Sequence, residues 1–254
     1  MEQAKKDSSA IKHRLVRSGE VDLFSIGLLG ISPVSGSREV ASAEFIGFNS
    51  SFIRSCIVFE ILRSFRVGSF IETGTFRGET SFLVAAQTDL LICTCELDPR
   101  RYSFAKKVFD GFDDRVQLVL DNSPRFLQSV LADQNIEQPF IYLDAHWFEV
   151  LPLREELESI RLSDREDFII MIDDFRVPRD DGFGFDKYGE ISLEWSYIAD
   201  VVMKFQKVAV FYPSYPSSSE TGARRGFVLI ASGHFIQDTR TLCSPTLLYE
   251  EDIF

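Results

Sequence analysis

Short apolar runs and segments with apolar residues at helical spacing take turns along this chain, and from residue 68 the alternation is regular. SFIETG (69–74) predicts a strand and ETSFLVAAQ (79–87) a helix. LLICTCELD (90–98) reads as a strand, and PRRYSFAKKVFD (99–110) as a helix with Asp98 as N-cap and Pro99 at its first position. Val116 to Asp121 predicts a strand, SPRFLQSVLA (123–132) a helix, and PFIYLDA (139–145) a strand. LPLREELESIRL (151–162) reads as a helix with Leu153, Leu157 and Ile160 on one face. DFIIMIDDF (167–175) reads as a strand whose unbroken apolar run suits burial on both sides.

Strand–helix units in succession predict an α/β fold: a Rossmann-like, doubly wound, mostly parallel sheet with helices on both faces. Right-handed crossovers restrict its topology to few choices. After a helix at about 190–205, VAVFYP (208–213) and GFVLIA (226–231) predict a hairpin added at one edge. Upstream, residues 40–66 carry Phe52, Cys56, Phe59 and Leu62 at helical spacing and predict helices that cap the sheet domain. The expected division is an N-terminal extension over 1–66, loose over 1–20, and a main domain over 67–254.

Composition narrows the function. Of 254 residues, 45% are hydrophobic and 26% charged, a globular balance that excludes a largely disordered chain. A net charge of −12 repels polyphosphate and anionic lipid surfaces, so neither nucleic acid nor a membrane is an expected partner. No run of 18 apolar residues occurs, and LFSIGLLGI (23–31), interrupted by Ser25, Gly27 and Gly30, is a poor signal-peptide core. Four Cys make no disulfide framework, so a reduced, cytoplasmic setting is expected.

In a doubly wound sheet, ligands bind beyond the carboxyl ends of the strands, near the switch point. Polar and acidic residues recur at those ends. The first loop, Glu72-Thr-Gly-Thr-Phe-Arg-Gly78, has Gly74 for a sharp turn and Gly78 for a helix start close to a ligand. It lacks G-x-G-x-x-G and G-K-[ST], which argues against a nicotinamide dinucleotide and against a P-loop. Glu96 ends the second strand, where a carboxylate can accept both ribose hydroxyls or simply stand before a helix. Ser123 reads chiefly as a helix cap, with a nucleobase contact as the other use.

Asp144, Asp173 and Asp174 end neighbouring strands. Carboxylates that close repel unless a cation intervenes, and oxygen-only ligands favour Mg²⁺ or Ca²⁺; the plain alternative is solvated or capping aspartates. His146, two residues beyond Asp144, is a candidate general base or a structural imidazole. Asp180-Asp181-Gly-Phe-Gly-Phe-Asp186-Lys187-Tyr188 suits a mobile lid or an ordinary surface loop.

Taken in order, these segments resemble class I S-adenosylmethionine-dependent methyltransferases. ETGTFRGETS is similar to the cofactor loop of metal-dependent O-methyltransferases of the catechol and caffeoyl-CoA type, CELDP to their acidic motif, and YLDAHW with IDDF to their metal-binding strand ends. YLDAHW, IDDFRVP and ETGARRGFVLIA together also resemble relatives of the macrocin O-methyltransferase type. The resemblance spans about residues 68–232. It implies S-adenosyl-L-methionine as cofactor, bordered by Glu72, Gly74, Thr75 and Gly78. Thr80 or Ser81 would meet its carboxylate, Glu96 its ribose, and Asn122 and Ser123 its adenine. Asp144, Asp173 and Asp174 would hold Mg²⁺ or Ca²⁺. It also implies seven strands with the last antiparallel.

One position departs from that pattern. Catechol-type enzymes carry Lys three residues after the first metal aspartate, where this chain has Trp147. His146 is the expected substitute base, with Lys187 behind it. The expected activity is methyl transfer to a hydroxyl of a small-molecule acceptor, a vicinal diol on a sugar or natural product, by an enzyme that is a possible homo-oligomer. The rival reading is a non-catalytic protein that binds S-adenosylmethionine or another nucleoside for regulation.

Overall fold

A computed structural model describes residues 47–112, 114–146, 151–243 and 247–253. The expected alternation is present. Strands β1 (Ser69–Thr73), β2 (Leu91–Glu96), β3 (Val116–Leu120), β4 (Pro139–Leu143) and β5 (Ile169–Asp173) are parallel neighbours in the order β3-β2-β1-β4-β5. Helices α2 (Glu79–Gln87), α3 (Pro99–Val108), α4 (Ser123–Ala132) and α5 (Leu153–Leu162) connect them. The chain steps outward from β1 to β3, then returns to β4 on the other side of β1. Right-handed crossovers therefore place the two sets of helices on opposite faces, and the switch point lies between β1 and β4. Every residue of β1, β4 and β5 is buried, as their apolar runs require.

Beyond β5 the sheet continues through β9 (Phe227–Ser232), β8 (Val208–Pro213) and β10 (Leu248–Glu251). β9 lies antiparallel between β5 and β8, and β10 adds an antiparallel edge. The hairpin is thus completed to eight strands, one more than the seven expected, because the short segment 248–251 pairs with β8. A two-stranded ribbon, β6 (Lys187–Tyr188) with β7 (Ile191–Ser192), precedes α6 (Trp195–Val202). The short helix α7 (Phe235–Arg240) follows β9.

Helix α1 (Phe52–Ser64) realises the helical spacing upstream, and Ile53, Ile57, Val58, Phe59, Ile61 and Leu62 join the same hydrophobic core as the sheet. The remainder of the expected extension, 1–46, lies outside the described residues. No helix among the described residues is long and apolar enough to cross a membrane.

Two caps can be compared with expectation. Asp98 accepts from the Arg100 and Arg101 N–H groups at 2.7 and 3.2 Å, as predicted. At α4 the cap is Asn122, whose side chain accepts from the Arg125 N–H at 3.0 Å. Ser123 is instead the first residue of the helix and is buried.

Candidate active site

Register sets the site. Thr73 pairs with Leu143, and Leu143 with Ile172, so β1, β4 and β5 end nearly level and Asp144 comes out beside Asp173 and Asp174. A cavity of about 750 Å³ opens above these ends. That volume lies within the usual range of small-molecule sites. The first loop supplies one wall, with Glu72, Gly74, Thr75 and Thr80; Asp144, His146 and Asp174 supply the floor; Lys187, Tyr188 and Arg225 supply the opposite wall.

Gly74 is required by close approach. It has φ +80°, and a methyl group on it would stand 2.3 Å from the Asp144 carbonyl oxygen. Gly78, at φ +81°, starts α2 against the ring of Phe109. Glu72 is buried. It accepts from the Ser81 hydroxyl at 2.6 Å and from Thr94 at 3.2 Å, and burial pushes its pKa up to about 7. The Thr80 hydroxyl accepts from the Phe48 N–H at 3.3 Å, and Thr75 shares a 2.6 Å hydrogen bond with Thr94. Ser81 and Thr80 therefore brace the loop from within.

Glu96 differs from expectation. Its carboxylate accepts from the backbone N–H groups of Phe76 (2.7 Å) and Asp98 (2.8 Å), and it is absent from the cavity wall. The reason is the loop itself: Phe76 takes a left-handed φ of +50°, which turns its N–H onto Glu96, and the Arg101 guanidinium stacks on its ring at 4.8 Å. Asn122 and Ser123 also stand outside the cavity wall.

The aspartate cluster is the second correction. Asp173 is wholly buried and does not share a gap with Asp144 and Asp174. One carboxylate oxygen accepts from Arg54 and from the Asp174 N–H (2.7 Å). The other accepts from the Tyr142 hydroxyl and from Asn49 at 2.9 Å. Burial is the largest influence and works against the Arg54 charge, but Asp173, Tyr142, Tyr215 and Asp174 together outweigh it and the net shift is upward. The conflict among three carboxylates is thus relieved in part by a buried guanidinium. Arg54 carried a signal in the sequence: a cation between Ile53 and Ile57, on the apolar first half of a helix whose other charges, Glu60 and Arg63, come near its end.

A second arginine, Arg225, donates to Asp174 at 2.7 Å and to Asp186. The segment read as a mobile lid or an ordinary surface loop is hydrogen-bonded to the strand ends. The Asp186 N–H donates to the Asp174 carbonyl (2.9 Å), and Gly184 exchanges backbone hydrogen bonds with Arg224 and Gly226. The Tyr188 hydroxyl donates to the His146 carbonyl at 2.8 Å. Lys187 sits on the cavity wall with its ammonium 5.1 Å from the Phe185 ring.

What remains open is the space between Asp144, Asp174 and His146. The His146 ring is buried, and neither ring nitrogen has a hydrogen-bond partner among the described residues. Nε2 faces Asp144 Oδ1 at 4.0 Å and Asp174 Oδ2 at 3.9 Å. Burial lowers the His146 pKa, so the imidazole is neutral at pH 7. Burial, then Asp173 and Asp174, hold the Asp144 carboxyl well above the usual range, and burial raises Asp174 to about 7. These donors fit a divalent cation, with His146 in the place expected for Asp173. Trp147 lies outside the described residues.

No protein-family model and no curated protein matches the chain. Solved structures do. A methyltransferase of Podospora anserina, PaMTH1, bound to SAH, superposes with TM-score 0.50 at 16% identity, over 72% of this chain and 78% of that one. An O-methyltransferase from Bacillus cereus in complex with SAH superposes with TM-score 0.50 at 15% identity, over 88% and 97%. The fold is that of the class I methyltransferases. At such identities the likeness is one of fold, and the chemistry must be argued from this chain's own residues. Within the methyltransferase fold, the cavity lies over β1 and β4, at the switch point, and the Gly74 loop forms its wall.

Proposed function

We propose that the protein is an S-adenosylmethionine-dependent O-methyltransferase whose acceptor is a hydroxyl of a small molecule, with a vicinal diol of a sugar or natural product as the class to test first. The observation that carries this reading is the cavity between the Gly74 loop and the Asp144–His146–Asp174 floor, in a fold whose solved examples include SAH-bound methyltransferases. The acidic floor suits a sulfonium cofactor, and Glu72 on the first-loop wall stands where it can pair with a cationic group.

Methyl transfer needs the sulfonium carbon and the acceptor oxygen held in line, and it needs the acceptor proton removed. Gly74 lets the cofactor loop lie against the Asp144 backbone, which keeps both partners near one floor. Phe48 packs edge-on against Tyr142 at 5.3 Å and closes the cavity on the α1 side. His146 presents a neutral imidazole lone pair to that floor, suited to accept a proton or to bind a cation. A divalent cation held by Asp144 and its neighbours would lower the acceptor oxygen's pKa and fix its angle.

The test is turnover. The purified chain is incubated with methyl-labelled S-adenosylmethionine and a panel of sugar and polyketide diols. The reading expects S-adenosylhomocysteine and labelled ether to form in equal amounts. Cofactor binding without turnover on any hydroxyl acceptor would favour a regulatory nucleoside-binding protein; no binding at all would remove both.

A further inference from the structure

The charges around the cavity floor do not balance. Asp144, Asp173, Asp174 and Asp186 bring four carboxylates, and Arg54 and Arg225 bring two guanidiniums that pair with Asp173, Asp174 and Asp186. Asp144 has no such partner among the described residues.

Geometry says where a cation belongs. One oxygen each from Asp144 and Asp174 and one His146 ring nitrogen lie within 4.8 Å of one another, with Nε2 at 4.0 and 3.9 Å from the two oxygens. These distances are too long for hydrogen bonds. An ion bonded at about 2.0–2.2 Å to each of two donors spans up to roughly 4 Å between them. The imidazole is buried with both nitrogens unpartnered among the described residues, an arrangement that is unfavourable unless something fills the gap.

We infer that Asp144, His146 and Asp174 form a mixed nitrogen–oxygen site for a divalent first-row transition metal, selected over Mg²⁺ and Ca²⁺. Asp173, expected as a ligand, is excluded because its four hydrogen-bond donors occupy it. The metal class follows from the donors. Hard Mg²⁺ and Ca²⁺ prefer oxygen, whereas an imidazole with two carboxylates suits Mn²⁺, Fe²⁺, Co²⁺ or Zn²⁺. The assignment also takes His146 out of the role of general base, because its cavity-facing lone pair is committed to the ion. It deepens the methyltransferase reading and rests on that reading only for what the ion does to an acceptor oxygen.

The experiment uses the full chain, stripped of metal and titrated with Mn²⁺, with Mg²⁺ in parallel. Mn²⁺ is expected to bind at least tenfold more tightly than Mg²⁺, and pulsed electron paramagnetic resonance of the bound Mn²⁺ is expected to show coupling to one imidazole nitrogen. His146→Gln should remove that coupling and weaken Mn²⁺ at least tenfold. The coupling is read on the wild-type chain, so the result stands even if the variant fails to fold. Bound Mn²⁺ without nitrogen coupling, equal affinity for Mg²⁺, or no bound ion would overturn the assignment. Calorimetry with S-adenosylmethionine alone separates the two ideas. Cofactor binding without a nitrogen-ligated metal sinks only this inference. A nitrogen-ligated metal without cofactor binding sinks only the functional reading.

Discussion

Arg54 on α1 donates to Asp173 at the end of β5, and both side chains are fully buried. The same guanidinium donates to the Arg225 carbonyl and lies 5.3 Å from the Phe227 ring. It therefore ties α1, β5 and the start of β9 together beneath the cavity. Removing one member of a buried pair leaves a desolvated charge. Arg54→Met is expected to destabilise the fold by about 3–5 kcal/mol, while Arg54→Met with Asp173→Leu should recover most of that loss. Urea unfolding of the two single variants and the double variant checks this. A single-variant cost below about 1 kcal/mol would show that the pair is not what holds α1.

Glu156 on α5 is buried, with the Ser123 and Thr73 hydroxyls beside it but outside full hydrogen-bonding geometry. Desolvation pushes its pKa up to about 7, against the opposing effect of those hydroxyls. The native carboxyl then keeps its proton up to about pH 7, whereas the unfolded chain releases it near pH 4.5. Between those values the native state binds more protons, so this group's stabilising contribution falls as pH rises and is lost above about pH 7. Glu156→Gln should flatten that slope and make the protein more stable at pH 8 by about 1–3 kcal/mol. Denaturant midpoints at pH 5 and pH 8 decide it.

Much of this architecture was legible because it rests on local pattern. The runs around Phe70, Ile92, Ile141 and Ile170 are apolar on both faces and marked by Gly, Pro or Asp at their ends, and their parallel pairing follows from the helices between them. β10 was not legible: four residues with Glu250 and Glu251 carry no apolar period, and pairing with β8 alone makes them a strand. The acidic strand ends were legible as a site, since register must bring Asp144 beside Asp173. Which aspartate stays open was not. That depends on Arg54, 119 residues away in sequence from Asp173. The backbone contacts of Glu96 were hidden for a similar reason, since only the turned Phe76 backbone puts an N–H on its carboxylate.

Gly74 tests the close approach of the first loop to β4. Its φ of +80° is strained for any side chain, and a methyl group would meet the Asp144 carbonyl oxygen. Gly74→Ala should cost about 1–3 kcal/mol in stability. Because the displaced backbone carries Asp144, it should also lower kcat/KM by on the order of a hundredfold. Thermal unfolding and steady-state assay of the same preparation check both. Unchanged activity would mean that the loop and Asp144 need not be in contact.

Asp144 separates catalysis from cofactor binding. Among the described residues it is the floor carboxylate with no arginine partner, so its loss should strip the site of a metal ligand while leaving the Gly74 loop in place. Asp144→Asn is expected to lower turnover by on the order of a hundredfold or more, with S-adenosylmethionine affinity within a few-fold of wild type. Treatment with a chelator should reproduce the loss in the wild-type chain and add little in the variant. Full turnover in excess chelator would exclude metal assistance, and a parallel fall in cofactor affinity would place Asp144 in the cofactor site instead.

Glu72 gives the cofactor step a pH dependence. Burial pushes its pKa up to about 7, with the Ser81 and Thr94 hydroxyls opposing, and it lines the cavity beside Gly74. Below about pH 7 its carboxyl is neutral and offers little to a cation; above, the carboxylate attracts the sulfonium and ammonium groups of S-adenosylmethionine. Affinity should therefore rise from pH 6 to pH 8, and binding near pH 7 should release protons from this group. Glu72→Gln should flatten the rise while retaining an acceptor for the Ser81 and Thr94 hydroxyls. Calorimetry in two buffers of different ionisation enthalpy reads the proton release directly. An affinity that stays level from pH 6 to pH 8 in the wild-type chain would mean that Glu72 holds the loop through Ser81 and does not face the cofactor's charge.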